Sequence, residues 1–345
     1  MPANPQARSD DVRPFHGTDL AIAAEYRYFS LGRHALRAGL SALGVGNGDL
    51  VLMPAFICRD LLAAVHAVQA EVLFYPVDEH LAPHSLPVDD RVKAVLSVNY
   101  FGFPQALDLL RDYCTKSGAA LIEDNAHGFL SRDEHQVLLG TRGDLGLLSL
   151  HKTFSWPDGA MLLVNQKNPG LKLPIALPCR DDRLPMSFTV KRTLGRIQNA
   201  TGVRVRSASE RVTRFFRAVR TGHALPVSLA ESEFEIPGDP AIHCASLRML
   251  EKMDSASEIN RRRALYQRFH RELAGWGIAP IFGNLPDGVC PYGYPFRANA
   301  ERAATVAALA QRRGFDCSSW PDLPSAVVDN APGFYRDVWW INFLC

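Results

Sequence analysis

In the stretch "SLHKTFSWPDGAMLLVNQ" (149–166), Lys152 sits between a strand-like apolar run and the turn signal Pro157-Asp158-Gly159. A lysine is ordinarily an exposed charge. At a strand end, partly desolvated and facing a pocket, its amine can form a Schiff base if the site lowers its pKa. Three other features fall at comparable places. In "IEDNAH" (122–127), Asp124 ends the apolar run "AALIED". A carboxylate inside the fold at a ligand-binding edge needs a cationic partner, and a protonated pyridine nitrogen is one. The plain alternative is an Asp that caps the next helix. In "SLGRHAL" (30–36), Gly32-Arg33 opens a helical stretch. Its free N–H groups and positive dipole end suit a phosphate, and the glycine lets an anion approach the backbone. "GDLG" (143–146) turns the chain into "LLSL" and reads as turn chemistry.

The elements that must position these groups are legible as an alternation. Strand candidates are residues 50–54, 71–77, 93–100, 119–124, 146–150 and 160–165, mostly continuous runs rich in Val, Leu and Ile. Such runs fit strands buried on both faces. Helical patterns lie between them at 33–44, 59–70 and 104–118. The order predicts an α/β fold with a mostly parallel sheet, in which ligands bind beyond the carboxyl ends of the strands. Residues 245–274 read as one long helix, 291–298 as a strand, and 301–314 as a helix ending at Gly314. The expected organisation is an N-terminal arm (1–19), a large α/β domain (20–240) and a small C-terminal α/β domain (241–345). Within the large domain, 180–222 is basic and without strand signal. Its plain reading is a solvated helical surface. The functional alternative is a patch for an anionic substrate, with Arg192 and Arg196 among its members.

Composition narrows the class. The 345 residues are 47% hydrophobic and 21% charged, ordinary globular values, with a net charge of +2. That balance gives no bias toward nucleic acid or a membrane surface. No run is long and apolar enough for a transmembrane helix, and the first residues do not read as a signal peptide. The seven cysteines are scattered, without CxxC or Cys/His ligand spacing. This predicts reduced thiols, no metal site and a cytoplasmic protein.

Taken in order, the Gly-Arg helix start, "PAFIC", "VNYFGFP", "EDNAH", "GDLGLLSL", the lysine and "PDGA" resemble the DegT/DnrJ/EryC1/StrS sugar aminotransferases. The resemblance runs from about Ser30 to Asn165. It resumes at "SLRMLEKMDSASEINRRRALYQRF" and "GFDCSSWPDLP". It implies the fold type I architecture of transferases that use pyridoxal 5′-phosphate, a homodimer, and a role in polysaccharide or secondary-metabolite biosynthesis. It further implies that Lys152 carries the cofactor and, once freed, moves the α-proton of the substrate. Asp124 would pair with the pyridine nitrogen, Ala126 would lie under the ring, and His127 would stand near its hydroxyl. Gly32, Arg33 and Ser149 would hold the phosphate. His151 is first a packed neighbour and second a phosphate contact.

Three departures from the pattern bear on function. Ser149 and Lys152 stand closer than in the family, while the distance from Lys152 to Gly159 is the usual one, which places a deletion before the lysine. Cys58 occupies the position where an aromatic commonly stacks on the ring, with Phe56 two residues earlier as the nearest substitute. The basic segment 180–222 replaces the family's substrate and interface region. The implied activity is transfer of an amino group from an amino acid donor to a keto acceptor, a nucleotide-linked sugar or related metabolite. Its rivals are a dehydratase or lyase on the same fold, and a non-catalytic relative. Keeping Lys152 argues against the dehydratases, which have His there.

Overall fold

The computed structural model describes residues 23–165, 171, 173–184, 188–190, 193 and 229–344. Seven strands form one mixed sheet: β1 (Ala23–Phe29), β2 (Leu50–Pro54), β3 (Glu71–Tyr75), β4 (Val92–Val98), β5 (Ala120–Asn125), β6 (Leu145–Ser149) and β7 (Ala160–Asn165). Their spatial order is β1-β7-β6-β5-β4-β2-β3. Strands β3, β2, β4, β5 and β6 run parallel, and β7 is antiparallel to both its neighbours, β6 and β1. The five parallel strands therefore end at one edge of the sheet. All of β2, β6 and β7 is buried. In β7, Leu162 and Val164 join one apolar cluster while Met161 and Leu163 join another. That alternation is the strand period, and it covers the sheet on both faces.

Helix α1 (Gly32–Ala42) lies against one face through Leu36 and Leu40. Gly39 lets it approach closely, because a Cβ there would stand 3.0 Å from Leu145 and 3.1 Å from Leu162. Helices α2 (Leu62–His66) and α3 (Asp108–Ser117) follow β2 and β4, as the alternation requires. A single helical turn, α4 (Leu150–Thr153), follows β6 directly and carries His151 and Lys152.

The long helix expected over 245–274 is two helices, α5 (Cys244–Leu250) and α6 (Ser255–Ala274). Asp254 separates them, its carboxylate accepting the Ser257 N–H at 3.0 Å as an N-cap. Helix α7 (Ala300–Arg313) is capped by Asn299 and stops at Gly314, whose φ of 89° suits glycine. A second, antiparallel sheet pairs β8 (Gly293–Arg297) and β9 (Asp316–Ser319) on either side of β10 (Val338–Asn342). One apolar cluster contains residues of both sheets, including Leu52 and Val95 from the first and Phe296 and Ile341 from the second.

The expectation of reduced thiols is corrected in one place. Cys179 and Cys244 form a disulfide, while Cys58, Cys114, Cys290 and Cys317 are free. The pair lies 65 residues apart in sequence, so spacing alone gave no sign of it. Backbone hydrogen bonds beside it, Arg180 N–H to Ile242 and Cys244 N–H to Arg180, bring the two segments together. Among the described residues no helix is long and apolar enough to cross a membrane, and no group of His, Cys, Asp or Glu is arranged to hold a metal. Arg192 and Arg196 lie outside the described residues.

Candidate active site

A cavity of about 260 Å³ opens at the carboxyl edge of the parallel strands. Its floor comes from the ends of three adjacent strands: Val98, Asp124 with Ala126 and His127, and Ser149 with His151 and Lys152. One side is the start of α1, with Leu31, Gly32 and Arg33. Another is the loop after β2, with Ile57, Cys58 and Asp60. Tyr292, Trp320 and Trp340 close it from the second sheet and its connections.

Lys152 is half-buried on α4 and makes no hydrogen bond or ion pair among the described residues. The turn after it is held firmly. Leu150 N–H donates to the Gly159 carbonyl at 2.9 Å, and Gly159 N–H donates to Ser30 at 2.8 Å. Gly159 has φ 134°, which only glycine takes readily. Asp158, in the same turn, is buried and accepts from Ser246 Oγ at 2.7 Å and Arg180 Nη2 at 3.0 Å. The "PDG" signal thus marks an anchored turn that returns the chain into β7.

Asp124 is 8% exposed and sits opposite Val98 and Leu147 in the sheet register. Its Oδ1 accepts the Ala126 N–H at 2.9 Å, the local contact expected of a capping Asp. The carboxyl is nevertheless a wall of the cavity. Burial raises its pKa, while the Lys152 amine and the Ala126 N–H pull the other way. His127 is buried, and burial followed by the Lys152 charge drives its pKa well down. Its Nδ1 accepts the Phe101 N–H at 3.4 Å, which assigns the neutral ring proton to Nε2. The His127 ring stacks on Tyr292 with centroids 4.4 Å apart, and Tyr292 stacks on Trp340 at 4.6 Å.

At the start of α1, His34 and Ala35 N–H both donate to the Leu31 carbonyl. The Gly32 and Arg33 N–H groups have no acceptor among the described residues, and nothing lies within 4 Å of where a Gly32 Cβ would be. These two donors and the open space beside them fit a phosphate. The Arg33 side chain turns to Asp60 at 3.4 Å. Asp60 also accepts a hydrogen bond from the Cys58 thiol at 2.7 Å, and burial with the Asp60 charge raises that thiol to about 12. Cys58 is therefore a neutral donor, not a thiolate. Ser149 Oγ lies 3.4 Å from His151 Nδ1, which also lies 3.0 Å from the Gly159 carbonyl. His151 is thus both a packed neighbour and a cavity wall, with its pKa lowered chiefly by burial.

Nine of the ten residues singled out in the sequence line this one cavity; Phe56 does not. Phe56 is fully buried among Tyr100, Trp320 and Tyr335, with ring centroids 5.0 to 5.6 Å away. Phe56 packs instead behind Trp320, which is itself part of the cavity lining. Asp60, Tyr292, Trp320 and Trp340 had not been singled out. Trp320 stands inside the quoted "GFDCSSWPDLP", but neither "YG" nor "VWWIN" carries a signal that places Tyr292 or Trp340 here.

The residues of this cavity other than Tyr292, Trp320 and Trp340 fall in a stretch with known relatives. Residues 9–170 match the model of the DegT/DnrJ/EryC1/StrS aminotransferase family. Over these residues the chain is similar to that family. It resembles protein MosB of Rhizobium meliloti, 29% identical over 42% of this chain and 30% of the relative. It also resembles GDP-perosamine synthase of Vibrio cholerae, 32% identical over 39% of each chain. The chain thus spans less than half the length of these curated relatives. In the solved structure of the aminotransferase TlmJ from Streptoalloteichus hindustanus the likeness extends over 93% of this chain and 80% of that one. The TM-score is 0.59 at 22% identity. The fold is therefore the fold type I architecture that the resemblance implied, with a mostly parallel mixed sheet.

Proposed function

We propose that the chain is an aminotransferase dependent on pyridoxal 5′-phosphate. It would move an amino group from an amino acid donor to a keto sugar, nucleotide-linked, or to a related keto metabolite. The observation that carries this reading is one cavity that holds Lys152, whose amine has no hydrogen bond or ion pair among the described residues, with Asp124 and with the Gly32 and Arg33 N–H groups, which have no acceptor among those residues. Three separate needs of one cofactor, an amine, an acid and an anion cradle, are met there.

When bound, the cofactor supplies an electron sink for the bond being broken at the substrate carbon. The chain supplies the rest. Gly32 and Arg33 N–H groups would hold the phosphate, with Ser149 and His151 beside them. Asp124, costly to ionise in its buried place, gains a cationic partner in the ring nitrogen and keeps it protonated. Ala126 would form the floor, and His127, braced by Tyr292, would stand beside the bound ring. Lys152 holds the cofactor and then takes and returns the substrate proton as a general base. Cys58, a neutral thiol, takes the place of the family's stacking aromatic, and the aromatic wall comes instead from Trp320, Trp340 and Tyr292.

The name GDP-perosamine synthase of one relative supports a sugar acceptor. A homodimer, a domain boundary near residue 240 and a cytoplasmic place of work belong to the same proposal. The disulfide counts against the last, since a reducing compartment would open it. Spectra of the cofactor-loaded protein, with and without amino donors, test the reading. A donor-dependent spectral change is expected; its absence across amino acid donors would leave a non-catalytic relative.

A further inference from the structure

We propose that Arg262, on α6 and distant in sequence from every cavity residue, is the positioning residue for Lys152. This rests on the reading of Lys152 as the cofactor-bearing amine.

Arg262 is 1% exposed, the largest fully buried side chain among the described residues. A buried guanidinium is costly unless every donor is used. Its Nε meets Glu258 Oε1 at 2.6 Å, a counter-ion that Arg261 also holds, at 2.7 Å. Three of the four remaining N–H donors go to backbone carbonyls. Nη2 donates to Thr153 at 2.6 Å, and Nη1 donates to Tyr292 at 2.8 Å and to Pro291 at 3.2 Å. Thr153 is the last residue of α4 and follows Lys152. Tyr292 is the ring stacked on His127.

These acceptors give the guanidinium a specific task. A helix of one turn has no cooperative stability of its own, and its last carbonyls lack helical partners. Gly159 fixes the N-terminal end of α4 through Leu150 N–H. Arg262 fixes the C-terminal end through the Thr153 carbonyl. The same rigid, planar group holds the backbone of Tyr292. It therefore sets the position of the Lys152 turn relative to the Tyr292 and His127 wall. A buried pair serving stability alone could be replaced by well-packed apolar groups at little cost. A group that aligns an amine cannot be replaced in that way.

The test compares two ligands on the full chain: pyridoxal phosphate, which can bond to Lys152, and deoxypyridoxine phosphate, which keeps ring and phosphate but has a methyl in place of the aldehyde. The ratio of their affinities reports how well Lys152 is aligned. In R262M/E258Q, which removes both partners of this ion pair together, the ratio is expected to fall about tenfold or more, as for a reacting group displaced by a fraction of an ångström. Affinity for the deoxy compound is expected to stay within about twofold of wild type. R262K, which keeps the charge and can reach some of the carbonyls, is expected to recover part of the ratio. An unchanged ratio in both variants, or equal loss of both ligands, overturns the proposal and returns Arg262 to a general role in packing. A wild-type chain that binds both compounds equally refutes the reading of Lys152 itself, and this inference falls with it.

Discussion

Asp124 and His127 stand on one strand end, and burial pushes them in opposite directions, the acid up and the imidazole down. Each is thereby held toward its neutral form until a charged partner arrives. Asp124→Asn keeps shape but loses the charge that would pair with a ring nitrogen. It is expected to lower turnover about 10²–10³-fold, the range for loss of one preorganised electrostatic group, while cofactor still binds; steady-state kinetics at saturating cofactor checks this. For His127 the sign is as follows. Its folded pKa lies below the usual value near 6.5. Between the two, the unfolded chain binds the extra proton and the folded chain does not, so stability is full above about 6.5 and falls as pH drops below it. The Tm of the cofactor-free protein is expected to fall from pH 7 to pH 5, and His127→Gln is expected to flatten that slope. A slope unchanged by the substitution would contradict the buried neutral imidazole. Gly32, Asp124 and Lys152 were legible in the sequence because each stands at a helix start or just beyond a strand that its neighbours announce. Tyr292, Trp320 and Trp340 were not, because they reach the cavity from a second sheet, more than a hundred residues further along the chain.

The Pro157-Asp158-Gly159 turn is the element that returns the lysine segment to the sheet, and its buried Asp158 gathers Arg180, Ser246 and the His243 N–H. Asp158→Ala leaves these donors without their acceptor. A loss of about 2–3 kcal/mol is expected, the scale for charged hydrogen bonds with a partly exposed partner, read as a lower midpoint in denaturant. A midpoint within experimental error of wild type would mean that the turn holds without it. The Cys179–Cys244 disulfide braces Arg180 beside this turn. Thiol titration of the unreduced, denatured protein is expected to give five thiols, and seven after reduction, from the seven cysteines less the bonded pair; seven before reduction would remove the bridge. The buried strands were readable at this scale because parallel strands covered on both faces are continuous apolar runs. Strand β1 was not, because "AAEYRYF" is a half-exposed edge strand paired only to β7. The break between α5 and α6 is not legible in the sequence because Asp254, an N-cap, sits in a stretch of otherwise helical composition.

For the whole molecule, the two sheets meet in one apolar cluster, and the cavity takes its floor from the first and its roof from the second. Part of the proposed phosphate cradle is a pair of backbone N–H groups with few side chains to help them. A second copy of the chain completing the site is the proposed remedy. Light scattering at micromolar concentration is expected to give twice the mass of one chain. A monomer that still takes up cofactor at full occupancy would contradict the homodimer. The central claim is that Lys152 bears the cofactor, and it is tested by reducing the pyridoxal phosphate-loaded protein with borohydride and mapping the modified peptide. The account predicts one reduced adduct, on Lys152, absent from Lys152→Ala; an adduct on another lysine with Lys152 unmodified would contradict it.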